Sequence, residues 1–190
     1  MTDSDQTHVR YGLRRTVVLV GMMGSGKTAI GRALSQRLNV PFLDSDAEIE
    51  TAANASIAEI FARDGEPFFR RRESEVIARL LTGEPCILST GGGAFLAKRN
   101  RKLIKTHGVA VWLDAPLEVL WERVRHKDSR PLLRTPDPFA TLSEIFVARS
   151  PIYAKAKLHM TVRPRASIEE TTAGVLDLPE TRPDILERLP

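Results

Sequence analysis

Thr16-Val17-Val18-Leu19-Val20, followed at once by Gly21-Met22-Met23-Gly24-Ser25-Gly26-Lys27-Thr28, is the stretch that decides the fold. The first five residues form a continuous run rich in β-branched side chains. Such a run reads as a strand buried on both faces, as in a parallel sheet. The next eight fit G-x-x-x-x-G-K-[ST] at every fixed position. Glycines let the backbone wrap tightly and aim successive N–H groups at phosphate oxygens. From Lys27 to Leu38 apolar residues recur at helical spacing (Ile30, Ala33, Leu34, Leu38), so a helix N-terminus adds its partial positive charge. Lys27 can reach β- and γ-phosphates, and the Thr28 hydroxyl can coordinate Mg²⁺. The bland alternative, a glycine-rich turn with an incidental lysine, does not account for the strand before and the helix after. The motif specifies nucleoside triphosphate binding and leaves the acceptor open.

Outward from this stretch, apolar runs alternate with helical patterns. Strand candidates fall at Val40–Leu43, Cys86–Leu88, Val109–Leu113 and Leu158–Val162. Between them, a short helix fits Ala47–Ala53. Ser56-x-x-Glu59 is a capping box opening a helix that stops at Asp64-Gly65, and Pro67 suits the first turn of the next, to about Leu81. Further helices fit Phe95–Thr106, Pro116–Arg125 and Phe139–Lys157, and Ser167-x-x-Glu170 caps a last one. Alternating strands and helices predict βαβ crossovers and a parallel sheet covered on both faces, with ligands at the carboxyl ends of the strands. The organisation expected is a polar, flexible extension at 1–14, one domain at 15–177 and a tail at 178–190. Within the domain, the proline-rich, charged segment at about 125–138 reads as a lid.

With 42% hydrophobic and 27% charged residues, the chain has the composition of one folded domain. No apolar run approaches a membrane span, and the N-terminal stretch, with Asp3 and Asp5, is no signal peptide. Cys86, the single cysteine, reads as a buried structural thiol. A cytoplasmic setting follows. The net charge of +4 admits either nucleic acid or small anionic substrates. Basic residues are spread with acids between them, and RNA-binding aromatic signatures are absent, which favours small anions.

Asp44-Ser45-Asp46 follows the second strand. One carboxylate could serve Mg²⁺ through water and the other could orient an acceptor hydroxyl and take its proton, or the segment could be a helix N-cap. Asp114 competes for the metal role, but Pro116 opens a helix just after it, so Asp114 reads as an N-cap or its neighbour. Gly91-Gly92-Gly93 strips side chains from a loop at a strand end, either as a tight turn or to let a ligand lie against the backbone. Of Arg70-Arg71-Arg72 at most two can face a common site, since adjacent helical residues diverge by about 100°. Arg130, in Arg130-Pro131-Leu132-Leu133, and Arg149, before Ser150-Pro151, are each unremarkable alone. Together they suit phosphoryl transfer, which needs cations on the migrating group and a closing lid.

Gly21–Thr28, Asp44-Ser45-Asp46, Phe69-Arg70, Gly91–Gly93, Arg130–Leu133, and Arg149 with Pro151 and Tyr153 together resemble the shikimate kinase family in order and spacing, over roughly residues 15 to 173. The resemblance implies a nucleoside-monophosphate-kinase-like α/β fold, a five-stranded parallel sheet flanked by helices and closed by a lid. It implies transfer of the ATP γ-phosphoryl to the 3-hydroxyl of shikimate, on the route to chorismate and aromatic amino acids. Lys27, Asp46 and Arg130 would be catalytic. Gly24, Ser25, Gly26, Lys27, Thr28, Ala29, Arg123 and Arg130 would hold ATP, with Arg123 beside adenine. Arg70 and Arg149 would grip the shikimate carboxylate, Asp46 its hydroxyl, and the Gly91–Gly93 backbone its ring. Thr28 and Asp44 would serve one Mg²⁺ per subunit, with Ser89 nearby. A monomer acting on ATP and shikimate, without nucleic acid or membrane, is implied. The readings left in competition are a kinase for another small acid such as gluconate, and a nucleotide-binding regulatory or nucleic-acid-binding protein.

Overall fold

The computed structural model describes residues 10–126, 131–180 and 182–189. Its centre is a five-stranded parallel sheet: β2 (Thr16–Val20), β3 (Phe42–Asp44), β4 (Ile87–Ser89), β5 (Gly108–Asp114) and β6 (Leu158–Thr161), in the order β3-β4-β2-β5-β6. Each neighbouring pair runs parallel, with Val17 opposite Ile87 on one side and Val109 on the other. The run predicted to be covered on both faces is covered: Thr16–Val20 are all at most 2% exposed.

Helices α1 (Lys27–Leu38), α4 (Lys98–His107), α5 (Leu117–Val124), α6 (Pro138–Tyr153) and α7 (Ile168–Glu180) pack around this sheet. Ile30, Leu34 and Leu38 are the buried stripe of α1, which ends on Asn39 in the left-handed conformation. The capping box at Ser167 is formed: Ser167 N donates to Glu170 Oε2 (2.8 Å), and Glu170 N donates to Ser167 Oγ (3.0 Å).

A further layer follows β3 in the chain. It consists of α2 (Ser45–Ala53) and α3 (Ile57–Leu81). The capping box at Ser56 starts α3, and Gly65, at φ 81°, breaks it where the sequence predicted one helix to stop and another to start at Pro67. Ile49, Ile60 and Phe69 form a small core of their own under these helices. Asp46 and Arg70 ride on this layer, which joins the main core through Ile77, Leu80 and Leu81 at the far end of α3.

Three expectations change. The helix expected from Phe95 is a 3-10 turn, Ala94–Leu96, separated from α4 by extended Ala97. Asp114 does not cap α5, whose N-cap is Pro116. It ends β5 and accepts from His159 Nε2 at 3.0 Å. Parts of both polar end segments are structured: β1 (Arg10–Leu13) pairs antiparallel with β7 (Leu186–Leu189), and Ile185 and Leu186 join the main core. Paired backbone and two buried aliphatics hold these residues, which composition alone did not reveal.

Candidate active site

The loops after β2, β3 and β4 converge on one cleft of about 500 Å³. On its phosphate side, Gly24 and Gly26 sit at φ 80° and 99°, a region L side chains avoid. Lys27 Nζ lies across the loop and donates to Gly21 O and Met22 O, both at 2.9 Å. The Ser25 hydroxyl is buried without a hydrogen-bond partner. Ala29 continues the lining.

Asp44 resolves the choice between N-cap and metal carboxylate by doing the first with one oxygen and facing the cradle with the other. Its Oδ1 accepts from Asp46 N (3.0 Å) and Ala47 N (3.3 Å), while Oδ2 stands 3.5 Å from Thr28 Oγ1. A hydroxyl and a carboxylate so placed, beside a phosphate cradle, suit a hard cation that keeps most of its ligands as water and phosphate oxygen. Ser89, buried at the end of β4, lines the same part of the cleft.

Asp46, two residues on, lies against Gly91. Burial pushes its carboxyl up to about 6, helped by the neighbouring Asp44 charge and opposed by Lys27. Its Oδ1 is buried with no hydrogen-bond partner. A buried carboxylate oxygen left unmatched is costly, so this geometry suits a ligand hydroxyl. A carboxyl titrating near neutrality can take a proton and release it again.

The triple-glycine loop is the floor under these groups. A Cβ on Gly91 would stand 2.6 Å from Asp46 Oδ1, and one on Gly93 would stand 2.5 Å from both terminal nitrogens of Arg70. Arg149 approaches the middle glycine. Arg70 is held from two sides: Nη1 donates to both oxygens of Glu73 (3.1 and 2.9 Å), and Nε and Nη2 donate to Glu66 Oε1 (3.3 and 3.2 Å). Glu73 is 1% exposed, and burial raises its pKa against the opposing pull of Arg70. Arg71 and Arg72 instead lie over Phe68, and Arg72 pairs with Glu75. One arginine of the three faces the site. Two guanidiniums beside a loop without side chains can take a carboxylate in their forks.

The far end of the cleft is walled by Arg123, whose Nη1 donates to Gly24 O at 3.1 Å, and by Ala166, Ser167, Ile168 and Thr171. Arg165, at φ 62°, turns the chain from β6 into α7 there. Sequence reasoning placed Arg123 here and missed Ala166, Ser167, Ile168 and Thr171. The Ser167 capping box placed a helix start just after a strand, at the sheet edge where ligands bind, and that signal could have found them. It also missed Glu73, which the i,i+3 spacing from Arg70 could have suggested. Arg130 lies outside the described residues.

Known proteins match this arrangement. The shikimate kinase family model fits residues 23–178. A shikimate kinase of Ruegeria pomeroyi is 65% identical over 175 residues, 92% of this chain and 90% of that one. One of Cereibacter sphaeroides is 60% identical over 183 residues, 96% and 92% of the two chains. Among solved structures, the shikimate kinase from Acinetobacter baumannii in complex with shikimate superposes with a TM-score of 0.80 at 35% identity, covering 86% of this chain and 91% of that one. With its sheet order, its two glycine loops and these relatives, the chain belongs to the shikimate kinase family.

Proposed function

We propose that this protein transfers the γ-phosphoryl of ATP to the 3-hydroxyl of shikimate, giving shikimate 3-phosphate and ADP, on the route to chorismate and the aromatic amino acids. One observation carries the reading. The unmatched, buried oxygen of Asp46 lies between a phosphate cradle and a pair of arginines, where an acceptor hydroxyl would complete it.

Shikimate lies on the Gly91–Gly93 backbone with its carboxylate in the forks of Arg70 and Arg149. Asp46 accepts the hydroxyl proton as that oxygen bonds to the γ-phosphorus, and the bond from phosphorus to the β,γ-bridging oxygen breaks, leaving its electrons on ADP. Backbone N–H groups from Gly24 to Ala29 hold the phosphates. Lys27 exchanges the carbonyls of Gly21 and Met22 for β- and γ-phosphate oxygens. Arg130 closes onto the migrating group, and Arg123 flanks adenine. Thr28 and Asp44 would hold one Mg²⁺, which would neutralise developing phosphate charge. The protein acts as a cytoplasmic monomer without nucleic acid or membrane. No helix among the described residues is long and apolar enough to cross a bilayer.

A coupled ADP-release assay with shikimate, gluconate and quinate tests the reading, with the product identified by phosphorus NMR. Turnover with shikimate and a phosphate on its 3-oxygen is expected. Absence of shikimate turnover, or faster turnover of another acid, overturns it.

A further inference from the structure

Tyr153 is fully buried, yet it is none of the groups assigned above to ATP, acceptor or metal. It ends α6, one helical turn after Arg149, so the two side chains share a face of the helix. Its hydroxyl donates to the carbonyl oxygen of Gly92, the middle residue of the acceptor floor. Arg149 Nη1 and the same hydroxyl flank Gly92, 3.6 and 3.8 Å from where its Cβ would stand, and the Arg149 charge opposes the upward push that burial gives the phenol. The ring stacks on Trp112, centroids 6.3 Å apart, and the Trp112 ring lies 3.5 Å from where a Cβ on Gly21 would stand. Gly21 O is in turn 3.9 Å from the corresponding Gly92 position. One hydroxyl thus bonds the glycine floor beside one of the two arginines, and its ring rests on the residue that touches the start of the phosphate cradle.

This placement has a physical use. A triple glycine is the part of the chain with most freedom to lose, so its peptide planes need an external hold. Holding the Gly92 carbonyl from beneath fixes that peptide plane. Arginine carries much side-chain entropy, and a fixed polar neighbour near its head reduces what remains to be lost when a carboxylate binds. We infer that Tyr153 is a positioning residue for the acceptor. Its hydroxyl sets Arg149 and the Gly92 peptide in the geometry that receives the substrate carboxylate and ring. The inference rests on the function proposed above, and it assigns Tyr153 no contact with substrate.

Tyr153→Phe tests it, because phenylalanine keeps the ring and its stacking and removes only the hydroxyl. The KM for shikimate is expected to rise about tenfold, the scale of one hydrogen bond to a charged partner, with the KM for ATP nearly unchanged. A purely structural role would lower thermal stability and move both constants or neither. The decisive comparison uses the substrate. For shikimate carboxamide, which offers Arg149 no charge, the ratio of mutant to wild-type kcat/KM is expected to move most of the way back to one. Likewise Tyr153→Phe is expected to add little to the defect of Arg149→Ala. Equal losses with acid and carboxamide, or additive losses in the double variant, overturn the inference. So does an unchanged KM for shikimate. Should Tyr153→Phe fold poorly, Tyr153→Leu, likewise apolar and without a donor, is assayed at a temperature at which it is folded, and a selective shikimate defect in it is required. Wild-type turnover of shikimate in the same assay separates failure of this inference from failure of the proposed function.

Discussion

The two glycine loops of the cleft use the same residue for opposite reasons. In the loop after β2, Gly24 and Gly26 are needed for conformation, since both hold positive φ. In the loop after β4, none of Gly91, Gly92 and Gly93 does so. There the need is for room, because Asp46 and Arg70 occupy the space where two of the side chains would be. The first loop bends its backbone to meet a ligand with N–H groups. The second keeps its backbone bare so that side chains from α2, α3 and α6 can gather over it. On the proposed function, nucleotide recognition is built into local chain geometry, and acceptor recognition into tertiary packing.

The sharpest way to break this division is to remove the acceptor chemistry and look for damage on the nucleotide side. Asp46→Asn should lower kcat by about 10²- to 10⁴-fold, the usual contribution of a positioned base, with ATP affinity measured by calorimetry nearly intact. The same variant should be more stable than wild type. The folded value for Asp46 lies near 6 against 3.8 for the free side chain, so the folded state holds its proton more tightly. The ionised form therefore costs stability, a cost that grows as pH rises from about 4 to 6 and is complete above that. Asparagine removes it, by up to about 3 kcal/mol, so a higher melting temperature at pH 7.5 is expected. For the wild type, kcat/KM for shikimate should fall about tenfold per pH unit below pH 6, as the base is protonated.

A smaller effect should come from the carboxylate clamp. Arg149→Ala should raise the KM for shikimate by about 10- to 100-fold, consistent with loss of a charge-assisted bond, and leave the KM for ATP alone. On the other loop, Gly24→Ala forces a side chain into φ 80° and puts its Cβ 2.8 Å from Val124. It should cost about 1–3 kcal/mol of stability and weaken ATP binding while leaving the affinity for shikimate nearly unchanged. Equal weakening of both ligands would blur the distinction between the loops. The smallest effect should lie outside the cleft. Arg14 and Glu187 form an exposed pair beside the β1–β7 ribbon, and Arg14→Ala should cost less than about 1 kcal/mol with unchanged kinetics.

The same contrast explains what could be read in advance. The phosphate loop was legible because its requirement is local: strand, glycines, lysine and helix lie within 23 residues of one another, from Thr16 to Leu38. The parallel sheet was legible for the same reason, each strand being an apolar run between helical patterns. The acceptor site was visible as separate fragments, and only the family resemblance joined them. Arg70 could not be told from Arg71 and Arg72 by spacing, because what selects it is Glu73 buried beneath and Gly93 alongside. That Asp44 both caps α2 with Oδ1 and turns Oδ2 toward Thr28 could not be read from spacing, because it depends on how β3 and α1 are placed in space. The wall formed by Ala166–Thr171 has a helix-start signal but no residue types that declare a ligand. The pairing of 10–13 with 186–189 joins segments at opposite ends of the chain, which no local pattern records.

The claim that the second glycine loop exists to make room is tested most directly by titrating shikimate into Gly92→Ala and Gly93→Ala. At Gly93 a methyl meets the Arg70 guanidinium at 2.5 Å, whereas at Gly92 the nearest atom, Arg149 Nη1, is 3.6 Å away, an ordinary contact. Gly93→Ala is expected to lose about tenfold or more in shikimate affinity, as a displaced charge-assisted bond would, and Gly92→Ala to lose distinctly less. A greater loss at Gly92 than at Gly93 would contradict the account.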